Sequence, residues 1–195
     1  MKGCVAGIDD GYFKRGWRKT TFVLAAHCWR NNALCPCLVL GDFVEIDGMD
    51  STDKAISLVK RALRELDGLE AVLLDTVIFA GFNILDARRL NEETSVPVIP
   101  VFWYEPDRDA VRRAITKHFD DAEQRLKLLE ETWSRLTRIV CSKGSLLIAP
   151  YGLSTDKAWE LVCSLQIYTR QPEPLFTAHV MASRLSSIFL GENKQ

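Results

Sequence analysis

The chain has 195 residues, 47% of them apolar and 26% charged, with a formal net charge of −1. That length suits one domain with a sizeable core, so a single domain over residues 1–195 is expected. The near-neutral balance supplies no global field for nucleic acid or anionic membrane, and no apolar run is long enough to span a bilayer. Met1-Lys2-Gly3-Cys4 leads straight into a strand without a leader pattern, so a cytoplasmic location and no membrane partner are the expectation.

In chain order, residues 4–9 read as a short buried strand. Residues 20–29 (TTFVLAAHCW) and 37–46 (CLVLGDFVEI) follow as strands rich in β-branched and apolar residues. Short loops make these three antiparallel neighbours. Residues 51–66 carry Ala55, Ile56, Val59, Ala62, Leu63 and Leu66 at helical spacing. Residues 71–75 (AVLLD) form a continuous apolar run of the kind found in central parallel strands. A helix is expected at 84–94 and a strand at 96–103, with Pro97 and Pro100 near its ends or pushing it to an edge. Helices are predicted at 107–119 and 121–136, a strand at 145–150, and helices at 154–168 and 172–190. Three antiparallel strands followed by β-α-β units imply an α/β fold. The pattern is that of a ribonuclease H-like mixed sheet with helices on both faces.

Acids gather at the strand ends. Asp9 and Asp10 close the first strand, Asp47 and Asp50 sit between the third strand and the first helix, and Asp75 closes the fourth strand. Carboxylates beyond the carboxyl ends of neighbouring strands can converge on one crevice. Three of them make an all-oxygen site for a hard cation such as Mg²⁺. Taken singly, each also serves as a turn or cap residue: Asp10-Gly11 is a turn signal, and Asp50 precedes Ser51 as a helix cap would. Asp75 follows only apolar residues in its strand, so its charge calls for a partner or a metal.

The segment YFKRGWRKT (12–20) interleaves Lys14, Arg15, Arg18 and Lys19 with Tyr12, Phe13 and Trp17. Cations for phosphates and rings for bases suit nucleic acid, and a solvated charged turn is the alternative. Arg88 offers a further phosphate contact, and Phe79 and Phe82 of FAGFN either shape a substrate pocket or pack in the core. Of six cysteines, Cys28, Cys35 and Cys37 lie close in sequence, but their spacing is not that of a zinc knuckle. They are expected to be structural, with disulfides left open.

The stretches VAGIDDG, IDGMDST, LLDTVIFAGFN, VPVIPV and PEPLFTAH together resemble the archaeal endonuclease dU family, a remote relative of endonuclease V with the ribonuclease H-like fold. The likeness runs from residue 4 to 190. By this resemblance Asp9 matches the aspartate closing the first strand, and Asp50 the glutamate ahead of the first long helix. Asp75 matches the second aspartate, and His179 the late histidine. The resemblance implies a Mg²⁺-dependent endodeoxyribonuclease of DNA repair, with Mn²⁺ as the alternative ion. Asp9, Asp50 and Asp75 would bind the metal, Asp10 and Asp47 would stand near it, and His179 would assist at an oxygen. DNA would be cut near a deaminated base, with deoxyuridine the expected one.

Several residues depart from the endonuclease V pattern. DFVEIDG replaces its Y-I-P-G wedge, Trp103 stands where a lysine is found, Thr76 where glycine is usual, and Gly81 or a neighbour where a histidine lies. A non-catalytic nucleotide or nucleic-acid-binding module using the same acidic crevice is the second reading.

Overall fold

The computed structural model describes residues 3–190. Its elements are β1 (Cys4–Asp10), β2 (Lys19–Arg30), β3 (Ala33–Glu45), α1 (Ser51–Glu65), β4 (Ala71–Asp75), β5 (Ile78–Phe79), β6 (Asn83–Ile84), α2 (Ala87–Thr94), β7 (Val98–Phe102), α3 (Arg108–His118), α4 (Ala122–Ser134), β8 (Thr137–Cys141), β9 (Gly144–Ile148), α5 (Thr155–Ser164) and α6 (Glu173–Leu190). Among the described residues, seven strands form one sheet in the order β3-β2-β1-β4-β7-β9-β8, and β5 and β6 make a separate hairpin. The first three strands are antiparallel, whereas β1-β4 and β4-β7 are parallel. This is the ribonuclease H-like mixed sheet.

Alternation along the strands divides two cores between the two faces. Ala6, Ile8, Val72, Leu74 and Val98 pack with α1 and α2 on one side. Val5, Ala71, Leu73, Ile99 and Val101 pack with α5 and Leu175 of α6 on the other. No described helix is long and apolar enough to cross a membrane.

The structure departs from the sequence expectation in five places. Pro100, expected near a strand end or on an edge, sits in the middle of β7, between β4 and β9. β2 and β3 run on to a two-residue turn, Asn31-Asn32, with φ of 49° and 64°. Asparagine tolerates that left-handed backbone, which matches the twist of a tight hairpin. The helix expected at 84–94 starts at Ala87, because residues 83–84 pair in the β5–β6 hairpin and Asp86 caps the helix through the Arg89 N–H. β8 was not expected: it is an edge strand whose exposed face shows no apolar alternation. α5 ends at Ser164, short of 168. Two disulfides, left open by the sequence, join Cys4 to Cys28 and Cys141 to Cys163.

Candidate functional site

Asp9 and Asp75 come from neighbouring parallel strands in one register. Ile8 pairs with Leu74, so the next residue of each strand stands beside the other, with backbones about 5 Å apart. Both continue the alternation that places Val5, Ala71 and Leu73 in the core under α5 and α6, so both aim at the α6 side. The helix lies close there because β1 offers glycine. A Cβ on Gly7 would collide with the Pro174 backbone, and one on Gly11 with the side chains of Ser186 and Thr21.

α6 delivers His179 to the two acids. Its Nδ1 lies 2.8 Å from Asp9 Oδ2. One ligand atom each from Asp9, Asp75 and His179 fall within 4.8 Å of one another. Asp9 is buried (4% exposed), and its Oδ1 accepts the Asp10 N–H at 2.8 Å. Asp75 Oδ1 accepts the indole N–H of Trp103 at 2.7 Å. Trp103 follows directly on the end of β7, the strand beside β4, and Arg170 lies over its ring at 5.7 Å.

The electrostatics are those of crowded, desolvated carboxylates. Burial first, and Asp9 second, push Asp10 up to about 7. Burial and Asp9 likewise push Asp75 up to about 6, against the Trp103 hydrogen bond and the His179 charge. His179 is raised above its ordinary value, chiefly by its hydrogen bond to Asp9 and then by the charges of Asp9, Asp75 and Asp10. Buried carboxylates that resist ionisation beside one another fit a bound divalent cation, which would relieve both desolvation and repulsion. Asp9 and Asp75 supply hard oxygen donors of the type Mg²⁺ and Mn²⁺ take, and Asp10 lines the crevice beside them.

The acids open on both sides. A crevice of 480 Å³ runs past Asp9, Asp10, Tyr12, Phe13, Asp75 and His179. A second, of 450 Å³, shares Asp75 and His179 and continues over Trp103, Arg170, Gln171 and Phe176.

Asp50 does not join this group, contrary to the expectation that Asp9, Asp50 and Asp75 converge. Its Oδ1 accepts from Asn83 Nδ2 at 2.7 Å and from the Glu45 N–H at 3.1 Å. Asp47 is also turned away, its Oδ1 accepting the Phe82 N–H at 2.9 Å. Both are held by the β5–β6 hairpin, whose Ala80 N–H in addition holds Asp10 Oδ2 at 2.7 Å. FAGFN therefore acts as a bracket for three acids. Phe79 is fully buried, edge-on to Phe22 at 5.1 Å, and Phe82 packs on Phe119 at 5.6 Å. Core packing, not a substrate pocket, accounts for both.

The basic segment forms the loop between β1 and β2. Lys14, Arg15, Arg18 and Lys19 are exposed, and Trp17 is half-buried. Trp17 sits 5.7 Å from Tyr12, with the Lys14 ammonium 6.0 Å above its ring; Lys19 lies over Phe43. Tyr12 and Phe13 carry this loop to the crevice wall. Arg88 does not line the crevice; its guanidinium pairs with Glu131 at 2.7 Å. His27 is buried, with Nε2 at 2.9 Å from Thr177 Oγ1, and its pKa is lowered by burial. Sequence reasoning missed Trp103 as the donor to Asp75. The sequence offered Asp10 both as a turn residue and as a residue near the metal; it is the last residue of β1 and lines the crevice.

A mixed sheet in this strand order, with helices on both faces, is the endonuclease V-like form of the ribonuclease H-like fold. Residues 3–186 match the family described as endonuclease dU, and the chain belongs to that family. A UPF0215 protein of Pyrococcus horikoshii is 35% identical over 191 residues, covering 98% of this chain and 94% of that one. The crystal structure of an Archaeoglobus fulgidus protein of unknown function is similar at TM-score 0.76 and 28% identity, covering 94% of this chain and 98% of that chain. An endonuclease V of Ciona intestinalis, solved with a 24mer DNA containing an inosine, is similar at TM-score 0.61 and 16% identity, covering 97% and 87%. At that identity the likeness is one of fold.

Proposed function

We propose that the protein is a divalent-metal-dependent endonuclease that cuts a DNA phosphodiester near a deaminated base, with deoxyuridine as the base. The observation that carries this reading is the convergence of Asp9, Asp75 and His179 within 4.8 Å at the mouth of an open crevice. Asp9 and Asp75, with Asp10 at the rim, would hold Mg²⁺ or Mn²⁺. The cation, when bound, lowers the pKa of water and neutralises charge on the phosphate. His179, raised above its ordinary pKa chiefly by its hydrogen bond to Asp9 and with half its side chain exposed, is the general-acid candidate. Its bond to Asp9 fixes the ring, leaving Nε2 to give a proton to an oxygen in the crevice. Trp103 orients Asp75 from the other side. Tyr12, Phe13 and Trp17 provide stacking surfaces, and Lys14, Arg15, Arg18 and Lys19 hold phosphates.

The test is nicking of labelled oligonucleotides carrying uracil, hypoxanthine or no lesion, as DNA and as RNA, with Mg²⁺, Mn²⁺ or a chelator. Metal-dependent nicking of uracil-containing DNA above the undamaged control supports the proposal. Nicking only of hypoxanthine or of RNA would keep the nuclease and replace the substrate. Binding without nicking under either metal would favour the binding module. Trp103, standing where the endonuclease V pattern has a lysine, is the feature that points to that second reading.

A further inference from the structure

At the opposite end of β1 from the acids, three sulfurs meet. Cys4 and Cys28 are direct partners across the antiparallel β1-β2 pair and are joined as a disulfide. On the other side of β2, the β2-β3 register shifts: Ala26 pairs with Leu38 and His27 with Pro36, leaving Cys37 as the extra residue of a β-bulge. A bulge re-aims the side chain of its extra residue. Here it carries Cys37 to Cys28, with Sγ atoms 2.6 Å apart. Cys35, although directly opposite Cys28 in register, is not part of the group. The sulfurs of Cys4, Cys28 and Cys37 all lie within 4.8 Å of one another.

We infer that Cys28 is shared between two alternative disulfides, Cys4–Cys28 and Cys28–Cys37, interconverted by thiol–disulfide exchange within the chain. Cys37 loses its proton to solvent, and its thiolate attacks Cys28 Sγ. The Cys28–Cys37 bond forms as the Cys4–Cys28 bond breaks, and Cys4 leaves as a thiolate that takes up a proton. One disulfide and one thiol are present before and after, so no oxidant or reductant is consumed. Disulfide exchange needs an attacking thiol in contact with one sulfur of the bond, and the bulge supplies that contact.

The two forms differ in what they expose. A cavity of 490 Å³ is lined by Cys4 and Cys28 together with Trp29, Arg30 and Glu70. In the Cys28–Cys37 form the Cys4 thiol is free at that cavity, a modification site for small thiol reagents. In the Cys4–Cys28 form the free thiol of the three is Cys37, which is half-buried and whose pKa burial raises. Its thiolate fraction is therefore small, which slows exchange without preventing it.

The test is disulfide mapping of the full chain. The protein, in a Cys35→Ser background to simplify assignment, is equilibrated in a glutathione redox buffer and quenched in acid. Free thiols are then labelled at low pH, the chain is digested with pepsin, and linked peptides are read by tandem mass spectrometry. Both linkages are expected in one preparation, with label divided between Cys4 and Cys37. Cys37→Ser should give Cys4–Cys28 alone, and Cys4→Ser should give Cys28–Cys37. In the Cys35→Ser protein, pairing confined to Cys4–Cys28 with the label among these three cysteines all on Cys37 overturns the inference, as does Cys4→Ser in that background with both Cys28 and Cys37 labelled. Recovery of all three thiols free around a bound metal ion would also overturn it. Because the linkage ratio is read in the unsubstituted pair, a variant that fails to fold does not remove the test.

Discussion

His179 Nδ1 and Asp9 Oδ2 lie 2.8 Å apart, tying the last helix to the end of the first strand across 170 residues of sequence. The pair is made possible by Gly7 and Gly11, which let α6 approach β1. It sets both the orientation of the imidazole and its protonation. The raised pKa of His179 means that the folded state holds its proton longer than the unfolded chain does. The stabilisation is therefore full below the ordinary histidine value of about 6.5 and is lost as pH rises through the folded value. An NMR titration of the metal-free protein should find His179 above 6.5, and Asp9→Asn should bring it down.

The acids follow the same sign for a different reason. Asp10, pushed up to about 7, and Asp75, pushed up to about 6, keep protons in the folded state that the unfolded chain releases near 3.8. Their contribution is full below 3.8 and disappears as pH rises through those folded values. The metal-free protein should lose thermal stability between about pH 4 and pH 7. At pH 8, Asp10→Asn should raise Tm by about 5 °C, and millimolar Mg²⁺ should raise the wild-type Tm by mass action. Thermal melts across pH, with and without metal, check each part. A wild-type Tm that rises steadily from pH 4 to 8 without metal would contradict the assignment.

Thr76, immediately after Asp75, has φ of 76°. A β-branched residue there is strained. Its hydroxyl gives back little, accepting the Ile78 N–H at a long 3.4 Å. Thr76→Gly should stabilise the fold by about 0.5–1 kcal/mol in denaturant unfolding, after the entropic cost of glycine is subtracted.

Asn83 is fully buried and makes three hydrogen bonds: to the Glu45 carbonyl at 2.8 Å, to Asp50 at 2.7 Å, and from the Ser51 N–H at 3.0 Å. Asn83→Ala leaves the buried Ser51 N–H without its acceptor and takes one donor each from Asp50 and the Glu45 carbonyl, and should cost about 2–4 kcal/mol of stability. Asp50→Asn, which keeps a side-chain carbonyl for the Glu45 N–H and the Asn83 amide, should cost less than half of that. Urea unfolding of both variants gives the comparison.

The fold was legible in the sequence where the pattern is local. Apolar runs ending in acids marked β1 and β4, and PEPLFTAH marked the helix that carries His179. The geometry brings Asp9, Asp75 and His179 together. Asp50 looked equivalent because it also stands between a strand and a helix. What removes it from the group is Asn83, a partner 33 residues away in a hairpin too short to show any periodicity. The same hairpin reassigned Phe79 and Phe82 from pocket to core. β8 escaped notice because an edge strand with one buried residue has no alternation to read. The meeting of Cys37 with Cys28 depends on a bulge, a one-residue register shift that composition does not reveal.

The central claim is that the working carboxylates are those of Asp9 and Asp75, and that Asp50 is a bracket residue. The most direct measurement is the single-turnover rate of Mg²⁺-dependent nicking of uracil-containing DNA by wild type, Asp9→Asn, Asp75→Asn and Asp50→Asn, each checked for folding by circular dichroism. Loss of about 100-fold or more in Asp9→Asn and Asp75→Asn is expected, as for removal of a charged group from a reacting centre, with Asp50→Asn within about tenfold of wild type. A folded Asp9→Asn or Asp75→Asn that nicks as fast as wild type, or a folded Asp50→Asn that does not nick at all, would contradict it.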